Sequence, residues 1–209
     1  MNTTPKSSLT VVAIGLKMFC ILILLSIAIA AAKADTITFS GLPGPTNAPF
    51  TAYKEGTFTV TPVGGRWFQG LIYGNPAPSI YDGPIGSPGN ATVQVTDSAG
   101  LFTFSSLDYS NNNGPSTYDI MGLLGLTVEF DQSGNLIPSL PPLFGFTTLA
   151  GNFPNTEIDS LLIEVFPGAG VTSINLDNIV VSTVPEPGTL ALLGTALAGL
   201  AVARRRNRR

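Results

Sequence analysis

The side chains that could perform acid–base chemistry in this sequence are carboxylates, because the chain contains no histidine. That composition excludes the usual Ser-His-Asp and Cys-His nucleophile systems and histidine-ligated zinc. A glycoside hydrolase needs only two carboxyl groups. Six carboxylates are candidates for such a pair: Asp108, Asp119, Glu129, Asp131, Glu157 and Asp159. Carboxylates on alternate strand positions ordinarily form the solvated face of a sheet, so we predict that the protein is not an enzyme.

The N-terminus has the features of a secretory signal peptide. Lys6 and Lys17 precede an apolar stretch, residues 18–32, which ends in a small-x-small pattern formed by Ala32 and Ala34. This order predicts a signal peptide over residues 1–34 that signal peptidase removes after Ala34; a permanent N-terminal anchor is the alternative. The single cysteine, Cys20, would leave with the signal, so no thiol or disulfide chemistry is expected in the mature protein.

The C-terminus combines rigid prolines, an apolar segment and a cationic end. Pro185, Glu186 and Pro187 precede sixteen residues without charge, 188–203. As a helix this segment is about 24 Å long at ~1.5 Å per residue, against a hydrocarbon core of about 30 Å. Five arginines follow and should remain on the cytoplasmic side: Arg204, Arg205, Arg206, Arg208 and Arg209. We therefore predict a single transmembrane helix over residues 188–203.

These three parts together resemble the PEP-CTERM sorting signal of Gram-negative bacteria, over residues 184–209. The resemblance implies that an exosortase, a membrane protease-transpeptidase, recognises Pro185, Glu186 and Pro187 and cuts the chain. The protein is then expected to cross the inner membrane, to be anchored there transiently, and to reach the cell surface or extracellular space.

The body of the chain, residues 35–183, is strongly acidic. Of thirteen acidic residues all but Glu186 lie in it, whereas of ten basic residues it holds only Lys54 and Arg66. The twelve acidic and two basic side chains give a net charge of about −10. Phosphate contacts need Lys and Arg, so no nucleic-acid partner is expected.

The body has the pattern of an all-β domain. Val, Ile, Thr and Phe alternate with polar residues in short runs, which is typical of half-buried strands. The runs cover 57–60, 93–96, 102–105, 124–130, 161–165 and 173–181, and the turn-rich segments between them include 41–49, 74–89 and 134–142. We predict an antiparallel β-sandwich or jelly roll.

Several phrases of the body resemble the galactose-binding-like jelly rolls that occur upstream of PEP-CTERM signals. These phrases lie at residues 53–58, 100–108, 118–122 and 175–181. In related carbohydrate-binding sandwiches an early Glu and a late Asp share a structural calcium ion, and Glu55 and Asp177 are the matching positions. The resemblance therefore implies a possible Ca²⁺ site, whose hard oxygen ligands these carboxylates would supply. The alternatives are a solvated Glu55 and an Asp177 that caps the last strand.

Aromatic residues near the long turn-rich segment are candidates for stacking against a sugar ring. Trp67 is predicted to belong to the core, and Tyr81, between Pro78 and Gly83, is predicted to present a solvent-facing ring to a ligand. The overall prediction is an exported surface or extracellular-matrix protein that is associated with exopolysaccharide, as proteins of the resembled family are. A carbohydrate-binding module is the alternative, and a secreted glycoside hydrolase or an ice-binding protein is less favoured.

Overall fold

The computed structural model describes residues 34–142 and 144–184, together with Gly194. The described body contains thirteen strands in chain order. They are β1 Ala34–Ile37, β2 Tyr53–Glu55, β3 Phe58–Gly64, β4 Trp67–Gly70, β5 Ser79–Asp82, β6 Ala91–Asp97, β7 Phe102–Asn112, β8 Ser116–Leu124, β9 Thr127–Leu136, β10 Pro138–Ser139, β11 Thr147–Ala150, β12 Ser160–Pro167 and β13 Ser173–Thr183. These strands lie within one compact unit, Ala32–Val184.

The strands form two sheets. Sheet A has the order β10-β7-β13-β5-β4, with β1 paired to β13 and β11 paired to β7, and sheet B has the order β2-β3-β6-β12-β8-β9. The pairs are antiparallel except for β10 with β7. Hairpins and crossovers between short strands of this kind give the all-β sandwich that the alternation predicts, and that prediction is confirmed.

The core lies between the two sheets and follows from the alternation of each strand. On β12, Leu161, Ile163 and Val165 are buried, whereas Leu162 and Glu164 are only partly buried. The largest fully buried side chains include Trp67, Phe39, Phe58, Phe102 and Phe104. The rings of Phe58 and Phe102 meet edge to face with centroids 5.6 Å apart, a preferred aromatic geometry. Trp67 is thus a core residue, as predicted.

Two local predictions were wrong. The run 124–130, predicted as one strand, contains the turn between β8 and β9, where Gly125 adopts a φ of 62° that suits glycine. The segment 74–89, predicted as a long loop, contains β5. Strand β5 has the burial pattern of a strand covered on both faces, so it shows no alternation for the sequence to reveal.

The predicted signal peptide lies outside the described residues except for Ala34, and the predicted transmembrane helix lies outside them except for Gly194. Within the part of the chain that the structure describes, no helix is long and apolar enough to cross a membrane.

Candidate functional site

A polar stripe runs along the outer face of sheet A, on the side away from the core. On β7 and β13 most of the residues that point inward are apolar, among them Tyr109, Ile174 and Leu176, and Asn111 is a buried polar exception. The residues between them form three cross-strand pairs on the other face: Asn112 with Ser173, Ser110 with Asn175, and Asp108 with Asp177. The period of two along a strand therefore places six polar side chains in two adjacent rows.

Four of these side chains form a connected hydrogen-bond network. Ser110 Oγ donates to Asn112 Oδ1 at 2.8 Å, and Asn112 Nδ2 donates to Ser173 Oγ at 3.0 Å. Asn175 Nδ2 donates to the same hydroxyl oxygen at 3.3 Å. The hydroxyl of Tyr73, from the loop between β4 and β5, lies 2.7 Å from Ser110 Oγ. Each rotamer is fixed by its neighbours, so the network is a pre-organised polar floor.

A cleft of about 310 Å³ lies over this floor, which is at the lower limit of small-ligand sites. Asn112, Ser173 and Asn175 line its base, and the rings of Tyr73 and Tyr81 line its sides. Tyr81 pairs directly with Asn175 across β5 and β13, so its ring rises beside the floor. The cleft thus combines aromatic walls with groups that can both donate and accept hydrogen bonds.

The rim of the cleft carries exposed apolar side chains. Ile72 and Ile85 line it and are 84% and 66% exposed, and Phe144 lines it as well. None of the described residues that line the cleft carries a charge. A complementary ligand is therefore uncharged, with apolar surface for the rim and hydroxyl or amide groups for the floor.

Tyr81 is placed differently from the prediction. Its side chain is only 3% exposed, because its ring stacks on Phe68 with centroids 5.7 Å apart. Its hydroxyl donates to Asn47 Oδ1 at 2.7 Å, and burial raises its pKa. The predicted solvent-facing ring is therefore wrong, whereas the predicted ligand role of Tyr81 stays a prediction.

The sequence analysis does not predict the floor residues as a site. A signal for them exists, because Ser110 and Asn112 form a Ser-x-Asn pattern that Ser173 and Asn175 repeat on the neighbouring strand. The spacing puts both members of each pair on one face. Only the register of β7 against β13, however, brings the two patterns together.

Asp108 and Asp177 continue the stripe beyond the cleft and hold the loop between β4 and β5. Asp177 Oδ2 accepts the backbone N–H of Asn75 at 2.6 Å, and Asp108 Oδ2 accepts Asn75 Nδ2 at 3.1 Å. Asn178 bridges the two aspartates. Its backbone N–H donates a hydrogen bond to Asp177 Oδ1, and its side-chain Nδ2 donates one to Asp108 Oδ2. Burial raises the pKa of Asp177 to about 6; the two N–H groups lower it, and the charges of Asp108 and Glu55 raise it.

Glu55 and Asp177, the predicted calcium ligands, therefore lie close enough for one charge to act on the other. All four of their carboxylate oxygens already accept hydrogen bonds, those of Glu55 from Thr38 and Phe39. Among the described residues no group of three or more acidic, His or Cys side chains could hold a metal. A calcium ion would have to share oxygens with N–H donors and recruit carbonyl oxygens as further ligands. The calcium site stays a prediction.

The candidate hydrolase carboxylates do not converge on the cleft. Glu129, Asp131 and Glu157 are exposed and Asp119 and Asp159 are partly buried, whereas Asp108 is buried, contrary to the solvated position predicted for it. Among these six, Asp131 is the residue that acts directly on Asp119. Burial raises the pKa of Asp119, and a hydrogen bond with Asp131 and the charges of Asp131 and Glu164 raise it further. Neither residue lines the cleft.

A second depression of about 570 Å³ lies beside β3 and β4. It is lined mainly by prolines, glycines and apolar side chains, with Arg66 as the charged group. It offers fewer side-chain hydrogen-bonding groups than the cleft on sheet A, so the cleft is the better candidate for specific recognition.

No curated protein sequence matches the chain. Several solved structures are similar to it at 9% identity. A DUF4465-family protein from Bacteroides caccae covers 71% of this chain and 98% of its own, with a TM-score of 0.47. The match to a family 29 carbohydrate-binding module from Piromyces equi covers 74% of this chain and 93% of the module, with a TM-score of 0.43. The match to the adhesin domain of Lys-gingipain from Porphyromonas gingivalis covers 74% of this chain and 99% of that domain, with a TM-score of 0.43. At such identities and TM-scores these similarities say nothing about a ligand.

The resemblance of the C-terminus to a PEP-CTERM sorting signal is confirmed by a family comparison, whereas the transmembrane helix over residues 188–203 stays a prediction. Residues 183–207 match the PEP-CTERM protein-sorting motif, nearly the same range as the 184–209 expected from the sequence. The roles of Pro185, Glu186 and Pro187 and of the arginines fall on residues outside those that the structure describes. The chain therefore carries a PEP-CTERM sorting motif, which implies export, processing by an exosortase, and anchoring at the C-terminus before display at the cell surface.

Proposed function

We propose that the displayed domain is a non-catalytic glycan-binding module of the cell surface or extracellular matrix, and that its cleft on sheet A takes a neutral sugar chain. The observation that carries this proposal is the pairing of a polar floor of Asn112, Ser173 and Asn175, held from below by Ser110, with the walls formed by Tyr73 and Tyr81. Sugars present apolar ring faces together with hydroxyl groups, and this cleft has a counterpart for each.

The chemistry of the cleft disfavours other ligand classes. A lipid or another wholly apolar ligand would cover the amide and hydroxyl groups of the floor without replacing their contacts with water, which costs free energy for each polar group left unpaired. A phosphate-bearing or anionic ligand would meet no cation among the described lining residues and would approach a domain of net charge about −10.

The test is a glycan array with the secreted form, followed by calorimetry on any neutral polysaccharide that binds. Ile72→Asp changes the rim and Asn175→Ala the floor, and both should weaken binding at least tenfold. Ile72 is largely exposed, so its replacement should leave the fold intact. Val63→Asp is the matched control, because Val63 is 53% exposed and lines the second depression instead. Equal binding by Ile72→Asp, Val63→Asp and the parent would reject the cleft.

Association with exopolysaccharide follows if the array ligand is a polymer that the host itself secretes. A domain that binds no glycan would instead favour the purely structural matrix role. The hydrolase alternative depends on Asp119 and Asp131, the two candidate carboxyl groups that interact directly with each other. Reducing sugar released from a bound polysaccharide, and lost in Asp119→Asn, would favour that alternative over a non-catalytic module.

A further inference from the structure

The turn between β8 and β9 exposes apolar side chains that the fold does not use. Leu126 is fully exposed, Val128 is 52% exposed and Leu124 is 40% exposed. Turns at sheet ends are ordinarily polar, and Gly125 here follows two leucines and precedes a third. We call residues 124–128 the hairpin tip.

The hairpin tip lies at the end of the sandwich at which the described body ends. The N–H of Val184 donates to Leu101 O at 2.8 Å, and the next residue, Phe102, exchanges two hydrogen bonds with Ile158. Asp159 follows, and its N–H donates to Leu123 O at 2.9 Å while its Oδ2 accepts the N–H of Gly125. Three strand-to-strand steps of about 4.8 Å therefore separate Val184 from the tip, roughly 15 Å along this end.

The chain length beyond Val184 limits how far this end can stand from a membrane. The apolar segment of the sorting motif begins at Gly188, four residues later. Four residues span at most about 14 Å even when fully extended. The headgroup layer itself takes up part of that distance. In the anchored precursor, the end of the sandwich that carries Val184 must therefore lie close to the bilayer surface.

We propose that the hairpin tip inserts into the outer headgroup region of the membrane while the precursor is anchored, and so orients the domain for processing. The partner is a zwitterionic lipid surface, because the same end carries Asp97, Glu157 and Asp159 and would be repelled by anionic lipid. Exposed leucines close to the bilayer surface are removed from water when they enter the headgroup region, which is favourable in free energy. The glycan cleft has no part in this proposal, which depends on the sorting motif, on the predicted transmembrane helix over residues 188–203 and on the fold.

The test places a fluorophore at single cysteines in the full chain. Leu126→Cys and Ile85→Cys are each made in a Cys20→Ala background, and the protein is reconstituted in phosphatidylcholine vesicles and recovered by flotation. Ile85 is the matched control: it is an exposed isoleucine, and it lies toward the end of the strands where Gly86 bonds Thr172, opposite the hairpin tip. A third label at Gly194→Cys reports insertion of the apolar segment.

Spin-labelled lipids should quench the label at residue 126 at least twofold more strongly than the label at residue 85, and should quench the label at residue 194. Equal quenching at residues 126 and 85 would overturn the proposal. Absence of quenching at residue 194 would overturn it too, because the tether would then not exist. A blue shift at residue 126 without vesicles would mean that a second copy of the chain covers the tip, which also contradicts a lipid partner.

Discussion

Trp67 and Asp82 lie directly opposite each other on β4 and β5, and each carries a buried polar atom without a hydrogen-bond partner among the described residues. The atoms are Trp67 Nε1 and Asp82 Oδ2. The other carboxylate oxygen of Asp82 accepts the backbone N–H of Ile174, between two residues of the cleft floor. Asp82 therefore joins β5 to β13 beneath the cleft at a cost in desolvation.

The pH dependence of stability should reveal this cost. Burial raises the pKa of Asp82 from 3.8 to about 7, although the N–H groups of Ile174 and Asp82 lower it. Between these values the unfolded state has released the proton and the folded state still holds it. The contribution of Asp82 to the free energy of unfolding should thus be greatest below about pH 4 and should fall, by up to about 1.4 kcal/mol per pH unit, as pH rises to about 7.

Denaturant unfolding of residues 35–183 at pH 4.5, 6 and 8 measures this slope, and the fluorescence of Trp67, the single tryptophan, follows the transition. Asp82→Asn keeps an acceptor for Ile174 but cannot ionise, so its free energy of unfolding should depend less on pH and should equal or exceed that of the parent at pH 8. Parallel pH profiles for parent and Asp82→Asn would show that Asp82 ionises normally in the fold.

The side chain of Asp177 should contribute to stability by holding the loop between β4 and β5. Asp177→Ala removes the acceptor of two N–H groups, those of Asn75 and Asn178, so we expect a loss of about 1–3 kcal/mol in the free energy of unfolding at pH 5. The control is Glu129→Ala on the exposed edge strand β9, which should change stability by no more than about 0.5 kcal/mol.

Because the loop carries Tyr73 into the cleft, Asp177→Ala should also weaken glycan binding. A variant with parent stability would mean that the contacts of Asn75 with Asp108 suffice to hold the loop.

The calcium prediction is tested by thermal unfolding of residues 35–183 in calcium, in EDTA, and in sodium chloride at matched ionic strength. Binding through Glu55 and Asp177 would raise the free energy of unfolding by about 2.7 kcal/mol at 100 times the dissociation constant, a shift of several degrees in Tm. The shift should vanish in Glu55→Gln. Identical Tm values in calcium and EDTA would leave Glu55 as an acceptor for Thr38 and Phe39 only.

The sequence predicts the class of fold better than it predicts the site, for a physical reason. On β6, β12 and β13 apolar and polar residues alternate because one face of the sheet is buried. This pattern is local in the sequence, so it predicts these three strands. The cleft floor depends on the register between β7 and β13, which lie some 65 residues apart along the chain and are aligned only by tertiary pairing. Tyr81 was misplaced for a related reason, because its burial results from Phe68 on the neighbouring strand.

The sorting motif makes a prediction that is independent of the cleft. Two prolines fix φ and remove two backbone donors, so the segment formed by Pro185, Glu186 and Pro187 should resist both helix formation and strand pairing, and stay accessible to a membrane protease. Replacing all three with alanine should yield an uncut, membrane-held precursor, detected as a larger band that sediments with membranes. The control is an alanine replacement of Thr183, which lies two residues before Pro185 and outside the three residues. Normal release of the triple variant would contradict the role of these residues in recognition, whereas loss of processing in both variants would point to the junction with β13 instead.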